Sequence, residues 1–228
     1  MATIRLNRYL AQAGLGSRRA ADELIKSGRV FLNGQKAVLG EQVNEGDTVK
    51  VNNRLIKPLA TKVYLAYHKP VGIICTADPN SSDNIIKAVN YPERIFPVGR
   101  LDVHSSGLIF LTNDGDFANR LTHPKFWHAK EYQVKVDQLI NEQFINSLKR
   151  GVKLQEGVAK GDKVERLNNH EFKITIHQGW NRQIRRMCEV LGSNVRELKR
   201  IRVGSFDLGD LPVGKWRKLT AKEIKEFI

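Results

Sequence analysis

Cysteine is scarce in this chain, with only Cys75 and Cys188 among 228 residues. The two lie far apart and show neither the CxxC motif nor the spacing of metal ligands, so the sequence predicts neither a disulfide framework nor a cysteine-based metal site. Two distant thiols are typical of a reducing compartment, and we expect a cytoplasmic protein.

Long apolar runs are also missing. No stretch approaches the roughly 20 apolar residues that a membrane helix needs, and the opening MATIRLNRYL contains no apolar segment of signal-peptide length. The composition, 41% hydrophobic and 27% charged, is typical of a globular protein. Its length allows one domain or two.

Several motifs of well-known enzyme classes are absent: the chain contains no GxxxxGK[ST], GxGxxG, HExxH or GxSxG, and no internal repeat. Some acidic and imidazole groups that bind metals in other proteins do occur, namely His104, Asp114, Asp116 and His123. Their spacing matches no metal site, and Asp114 with Gly115 is typical of a turn. We therefore expect no metal and no other cofactor.

Acidic residues are outnumbered by basic ones, 24 to 38, which gives a net charge of +14 and a pI near 9.9. Such a charge attracts polyanions, among which nucleic acid is the first candidate; the alternative is a cationic surface that only confers solubility. Residues 1–62 hold 11 basic and 5 acidic residues, and residues 63–228 hold 27 and 19. Per residue, the first segment is therefore the more positive.

The first segment predicts two helices followed by a strand pair. Apolar residues from Leu6 to Ala13 recur at helical spacing, Ser17 is the expected N-cap of a second helix, and RVFLNG and DTVKVNN are typical of strands. Arg18 and Arg19 in the first turn of the second helix oppose its dipole, at roughly 0.3–1 kcal/mol each if exposed. A bound phosphate backbone would compensate, although the two side chains can also simply face solvent.

This pattern, with SRR opening the second helix, resembles the S-four-type RNA-binding domain, named for a ribosomal small-subunit protein, over residues 4–52. The resemblance implies that basic residues of the segment contact RNA: Arg5, Arg8, Arg18, Arg19 and Lys26. We expect this domain at residues 1–56, a linker at 57–62 and a second domain at 63–228.

The second segment predicts short strands separated by turns: VYLAYHKP, GIICTA, GLIFLTN, EYQVKV, FKITIHQG and VRELKRIRVG. Helical spacing occurs in NEQFINSLKRG and in NRQIRRMCEVLG. Since strands outnumber helices and several can form hairpins, we predict a mainly antiparallel α+β domain and not a doubly wound one.

A few polar residues of this segment have two possible interpretations each. Asp102 precedes an apolar strand, where an aspartate is ordinarily a cap or turn residue. Tyr132 in EYQVKV is equally consistent with a core position. Arg182 and Arg186, four residues apart, share one helix face that can clamp phosphates or be solvated.

The sequence motif around Asp102 is more specific. GRLDVHSSGLIFLT resembles the GRLDxxSxGLLxxT signature of the RsuA/RluB/RluE/RluF family of ribosomal RNA pseudouridine synthases. The other blocks of that family follow in order: NKPxG is matched at residues 68–72, with His68 in place of the usual asparagine, KEY at 130–132, and GxNRQIRRM at 179–187. With the N-terminal domain, the resemblance covers essentially the whole chain.

The resemblance implies a role for each matching residue. Asp102 is the catalytic carboxylate, Tyr132 stacks on the target base, Arg185 is the cation paired with Asp102, and Ile184 is an apolar wall. Arg100 contacts the RNA backbone or the gap left by a flipped nucleotide. Arg182 and Arg186 are further substrate-binding candidates.

The chemistry of that family is consistent with these residues. Isomerising uridine breaks the N-glycosidic bond, turns the uracil and joins its carbon 5 to the same sugar carbon, so no redox cofactor, metal or ATP is required. The carboxylate either attacks the sugar or assists departure of the base and removes a sugar proton. Both routes need the anion, which an adjacent guanidinium favours, and both need the base out of its stack.

The resemblance also implies the substrate. Within the family, GLIFLTNDGD and NRQIRRMCE are most similar to the RluF branch, which implies 23S rRNA near the peptidyl-transferase centre, with a tRNA anticodon uridine as the alternative. A rival interpretation is a non-catalytic RNA-binding or ribosome-assembly factor. We expect RNA as the partner, no DNA or membrane partner, and a monomer.

Overall fold

The computed structural model describes residues 3–59, 61–78 and 80–227. The chain divides into two compact units, Met1–Lys62 with Asn113–Gly115, and Val63–Thr112 with Asp116–Ile228. Residues 57–62, expected to form a linker, fall in the first unit. Within the described residues, no helix has the length and apolarity that crossing a bilayer requires.

The first unit packs two helices against short antiparallel strands. In chain order its elements are β1 (Ile4–Arg5), α1 (Leu6–Gln12), α2 (Arg18–Lys26), β2 (Val30–Leu32), β3 (Gln35–Lys36), β4 (Gln42–Val43), β5 (Val49–Val51) and β6 (Arg54–Ile56). Strands β3, β2, β5 and β6 form one sheet in that order, and β1 pairs with β4. The apolar sides of both helices and of β2 and β5 meet in one core.

The start of α2 follows the sequence prediction. Ser17 is its N-cap, and its side chain accepts a hydrogen bond from the Ala20 N–H at 3.2 Å. Such a cap satisfies one of the backbone donors that a helix leaves free at its first turn. Ala21 and Ile25 are buried, whereas Arg18 and Arg19 in the first turn are exposed.

The second unit is built on one large sheet. In chain order its elements are β7 (Tyr64–Lys69), α3 (Ile85–Val89), β8 (Phe96–Val98), β9 (Ser106–Thr112), α4 (Gly115–Thr122), β10 (Lys130–Val136), α5 (Glu142–Arg150), β11 (Val152–Leu154), β12 (Gly157–Ala159), β13 (Lys163–Arg166), β14 (Glu171–Ile176), α6 (Gln183–Val190), β15 (Val195–Val203), β16 (Phe206–Asp207), β17 (Trp216–Lys218) and α7 (Ala221–Lys225). A 3-10 turn at Pro124–Phe126 lies between α4 and β10.

In the described part of the chain, this sheet runs in the order β13, β14, β10, β15, β9, β7, β17, with β16 beside β15 and β8 beside β9. All its pairings are antiparallel except that of β15 with β9. The predicted, mainly antiparallel α+β class is therefore confirmed. The apolar sequence of β9 is unbroken because both faces of the strand are buried. Ile109 and Leu111 join one core, and Leu108 and Phe110 join another on the opposite face.

One predicted strand is wrong. GIICTA forms no strand; only an isolated bridge joins Ile74 to Asn84. The segment instead follows an irregular path on which the Cys75 sulfur accepts the Leu101 N–H at 3.3 Å. Four consecutive apolar or small residues favour a strand by local pattern, but here a long-range contact sets the backbone direction.

The junction of β9 with β15 requires a glycine. Gly107 pairs with Arg200 across the parallel contact and has φ of +108°. A Cβ atom on Gly107 would lie 2.2 Å from the Arg200 carbonyl oxygen and 2.5 Å from its nitrogen. The same contact is closed by the Arg200 Nε–H, which donates to the Leu108 carbonyl at 2.7 Å. Only a residue without a side chain permits this approach.

We predict that Gly107→Ala lowers the free energy of unfolding by about 3 kcal/mol, because two strands must separate to admit the methyl group and the backbone torsion is unfavourable for alanine. Urea unfolding measures the change. Gly209→Ala is the matched control: Gly209 also has positive φ, +56°, but a Cβ there would meet no atom within 4 Å. It should cost only about 1 kcal/mol. Equal losses in the two variants would contradict the overlap.

Candidate active site

A cleft of about 1070 Å³ opens in the second unit. The loop from Gly99 to Ser105 lines one side, and the loop from His177 to Arg182 lines another. Strands β10 and β15 contribute Tyr132 and Arg200 to its floor. The cleft therefore gathers three of the sequence blocks noted above: GRLD, KEY and GxNRQIRRM.

Asp102 lies on this cleft, in the loop that leads into β9. The Ser105 N–H donates to the Asp102 carbonyl at 3.0 Å, which closes a turn within the loop, and the Gly72 N–H donates to the Val103 carbonyl at 2.8 Å, which fastens the loop to the segment after β7. The side chain is half-buried. Among the described residues, no hydrogen bond or ion pair engages its carboxylate, which leaves both oxygens available to a ligand in the cleft.

Arg185 binds the backbone of the same loop and does not line the cleft. Its guanidinium is buried and donates from Nη2 to the His104 carbonyl at 2.7 Å and from Nη1 to the Val195 carbonyl at 3.0 Å. The expected direct ion pair with Asp102 is therefore not formed among the described contacts. Burial and the nearby Arg182 lower the pKa of Arg185, and the charge of Asp102 opposes this. The two groups attract each other through space while Arg185 fixes the backbone.

Lys69 is a site residue to which sequence reasoning assigned no role. Its side chain is fully buried at the end of β7, and its ammonium donates to the carbonyls of Pro70 at 2.8 Å and Ile73 at 2.9 Å. Burial lowers its pKa, while Cys75 and Asp102 favour the charged form. A lysine inside the apolar run YLAYHK was the available signal, because a buried lysine needs oxygen partners.

Arg200 is a second buried cation of the cleft that the sequence did not single out. Its hydrogen bond to the Leu108 carbonyl joins β15 to β9 three residues beyond the end of the Asp102 loop. Between these cations, burial raises the pKa of the Cys75 thiol. The cleft therefore contains a neutral thiol and a concentration of positive charge around a single carboxylate.

Tyr132 and Ile184 form the apolar wall. Tyr132 in β10 is only 8% exposed and belongs to the main core, yet it also lines the cleft. Both interpretations of this tyrosine are thus compatible with its position. Ile184 in the first turn of α6 is 3% exposed and lines the cleft beside it.

The arginines of the rim divide into two kinds. Arg100 and Arg182 are exposed and line the cleft; Arg182 is the left-handed N-cap of α6, with φ of +49°. Arg186 does not line it, because its guanidinium is clamped by both oxygens of Glu156 at 2.9 and 2.8 Å. Arg182 is therefore exposed at the cleft, and Arg186 is held in an ion pair away from it.

The basic residues expected to contact RNA in the first unit lie around α1 and α2. Arg5 precedes α1 and is exposed, Arg8 is half-buried within α1, and Arg18 and Arg19 are exposed in the first turn of α2. Lys26, in the last turn of α2, lies 2.8 Å from the carboxylate of Glu23. The first unit thus carries exposed guanidinium groups at a helix start.

His68, the departure from the family pattern, is a core residue. It is 3% exposed, its Nδ1 lies 2.7 Å from the Leu211 carbonyl oxygen, and burial lowers its pKa. It does not line the cleft. Where the structure describes the chain, no group of three His, Cys, Asp or Glu residues is placed to hold a metal ion.

Comparison with known proteins agrees with this geometry. Residues 63–190 match the family model for RNA pseudouridylate synthase, and residues 4–49 match the model for the S4 domain. The chain is 47% identical to the dual-specificity RNA pseudouridine synthase RluF of Escherichia coli K12, over 97% of this chain and 77% of that protein. It is 40% identical to the ribosomal large subunit pseudouridine synthase B of Bacillus subtilis, over 98% and 95%.

A solved structure is similar across the full length. The crystal structure of a pseudouridylate synthase superposes with a TM-score of 0.72 at 28% identity, and the match covers 99% of this chain and 100% of that one. Fold, cleft, family models and relatives lead to one assignment. The chain belongs to the RNA pseudouridine synthase family and is an RNA-modifying isomerase with an N-terminal S4 domain.

Proposed function

We propose that this enzyme isomerises a uridine of 23S rRNA near the peptidyl-transferase centre, with Asp102 acting on a nucleotide flipped into the cleft. The observation that carries the proposal is the position of Asp102: a half-buried carboxylate on a fastened loop, at the cleft surface and without a partner among the described residues.

The reaction conserves every atom of the nucleotide. The bond between the sugar and the base nitrogen breaks, the uracil turns, and carbon 5 joins the same sugar carbon; the proton lost from carbon 5 is balanced by one gained at the nitrogen. Asp102 either attacks the sugar carbon or assists departure of the base and removes a sugar proton. In both routes the carboxylate acts as an anion.

Two buried cations lie near Asp102. Lys69 and Arg185 are both close enough for the charge of Asp102 to affect their pKa. Neither of them donates a hydrogen bond to the Asp102 carboxylate, because their N–H groups donate to backbone carbonyls. The carboxylate thus lies near two buried cations and is still free to react.

The wall and the rim suit a flipped nucleotide. Tyr132 and Ile184 provide an apolar surface for the uracil, and a stacked aromatic recovers part of the few kcal/mol that unstacking costs. Arg100 and Arg182 are exposed at the rim and are placed to contact phosphates. The exposed cations of the S4 domain, Arg5, Arg18 and Arg19, supply further backbone contacts.

The ribosomal substrate is supported by the relatives. One of them is named for the large ribosomal subunit, and the S4 domain adds an RNA-binding element to the catalytic unit. The relative named as dual-specificity favours a second RNA substrate, for which a tRNA anticodon uridine is our candidate. We propose that the enzyme acts as a cytoplasmic monomer.

Mapping pseudouridines in total RNA tests the substrate. RNA from cells that lack the protein should lose pseudouridine at a single large-subunit rRNA position, and the purified protein should restore it in vitro. Loss only in tRNA would favour the anticodon substrate. No loss in any RNA would refute the proposed activity.

We predict that Asp102→Asn abolishes pseudouridine formation and keeps RNA affinity within about threefold, because the amide is isosteric but cannot act as an anionic nucleophile or base. Single-turnover assays and filter binding measure the two effects. Asp210→Asn, at an exposed position outside the cleft, is the matched control and should react normally. A non-catalytic RNA-binding protein would show no activity in the wild type either.

We predict that replacing both Arg18 and Arg19 with alanine weakens RNA binding. The slope of log K against log salt concentration should become shallower by roughly 0.7–0.9 for each phosphate contact that is lost. Titrations between 50 and 300 mM salt measure the slope. Replacing Lys222 and Lys225 of α7, which are exposed in the second unit, provides a charge-matched control. An unchanged slope would show that Arg18 and Arg19 face solvent in the complex.

A further inference from the structure

One aromatic side chain at the cleft is largely exposed to solvent. Trp127 is 68% exposed, although large aromatic residues are ordinarily mostly buried, and it lines the cleft. It follows the 3-10 turn Pro124–Phe126 and adopts a left-handed conformation with φ of +55°. A positive φ is costly for a bulky residue, and such strain persists where a side chain must be held in a particular position.

The exposed indole is supported from one side. Its ring stacks on the His177 imidazole, with centroids 5.2 Å apart and planes inclined by 16°. His177 is fixed in turn, since its Nδ1 lies 2.7 Å from an oxygen of Asp162. One face of the indole is therefore occupied, and the contact orients the ring.

The surroundings indicate what the indole can bind. Lys130 and Arg182 line the same cleft, so it is cationic as well as aromatic. A flat π surface next to positive charge is suited to a nucleobase with its phosphate, and stacking of this kind tolerates any base. A protein partner would instead be expected to cover a wider apolar patch.

We propose that Trp127 is an RNA-binding residue that stacks on an unpaired base adjacent to the target uridine, with His177 as its support. The proposal rests on the proposed function, because it assumes an RNA nucleotide in the cleft. It adds a second aromatic contact on the rim, separate from the Tyr132 wall that receives the uracil. Such a contact keeps the neighbouring base unpaired while the uridine is flipped out of the RNA.

The test is a double-mutant cycle between protein and RNA. The probe is an RNA stem-loop that carries the mapped uridine, prepared intact and with an abasic nucleotide at each position flanking that uridine. Trp127→Ala should weaken binding of the intact stem-loop about 5- to 100-fold, since stacking on an aromatic contributes that much per base. Trp127→Phe should stay within about threefold of wild type.

The abasic probes identify the stacked base. At one flanking position, removal of the base should weaken wild-type binding by the same factor, and should cause no further loss in Trp127→Ala. Independent, additive losses at every position would overturn the proposal. Leu139→Ala provides the control for truncating an exposed apolar residue, because Leu139 is 71% exposed and does not line the cleft.

The two proposals fail in distinguishable ways. Trp127→Ala should raise KM and leave the single-turnover rate at saturating RNA within about threefold. Normal KM in Trp127→Ala overturns the stacking role and leaves the isomerase intact. Absence of pseudouridine formation by the wild-type enzyme refutes the proposed function itself. His177→Leu should raise KM less than Trp127→Ala; no change at all would remove His177 from its supporting role.

Discussion

The cleft depends on a single kind of interaction: buried cations that donate to backbone carbonyls. Lys69 holds the carbonyls of Pro70 and Ile73, Arg185 holds those of His104 and Val195, and Arg200 holds that of Leu108. A buried cation is costly without partners, and carbonyl dipoles stabilise it without neutralising its charge. The result is a rigid set of loops under positive potential, into which one carboxylate projects.

This arrangement explains why the segments of the site could be recognised from the sequence, whereas their hydrogen-bond partners could not be predicted from it. The motifs GRLD, KEY and NRQIRRM identify the segments that line the cleft, and the apolar runs locate the strands β7, β9, β10 and β15. What they cannot supply is the partner of each donor. The family resemblance implied that Arg185 pairs with Asp102, but its buried guanidinium donates to two backbone carbonyls. Arg186 was expected to bind phosphate, and it is taken by Glu156.

The missed features have a common physical cause. GIICTA has strand composition, yet its backbone is directed by the contact of Cys75 with Leu101, which no local pattern encodes. Arg200 is an ordinary basic residue in a basic sequence and is distinguished by its burial, whereas the position of Lys69 at the end of an apolar strand was a signal left unused. The helices and long strands were predictable because their periodicity is local. The loops of the cleft were not, since each is fixed by residues distant in the chain.

The parallel contact of β9 with β15 has a consequence for how the enzyme is made. It joins segments about 90 residues apart, Ser106–Gly107 and Lys199–Arg200, and the carbonyl acceptors of Arg185 straddle the same gap. Contacts between such distant segments form late, because closing a long loop costs entropy before it is repaid. On the ribosome, the partners Gly72 and Cys75 precede the Asp102 loop, whereas Arg185, which holds His104, and Arg200, which holds Leu108, follow it by about 80 to 90 residues. A growing chain thus carries Asp102 before the two arginines that hold the surrounding backbone are available.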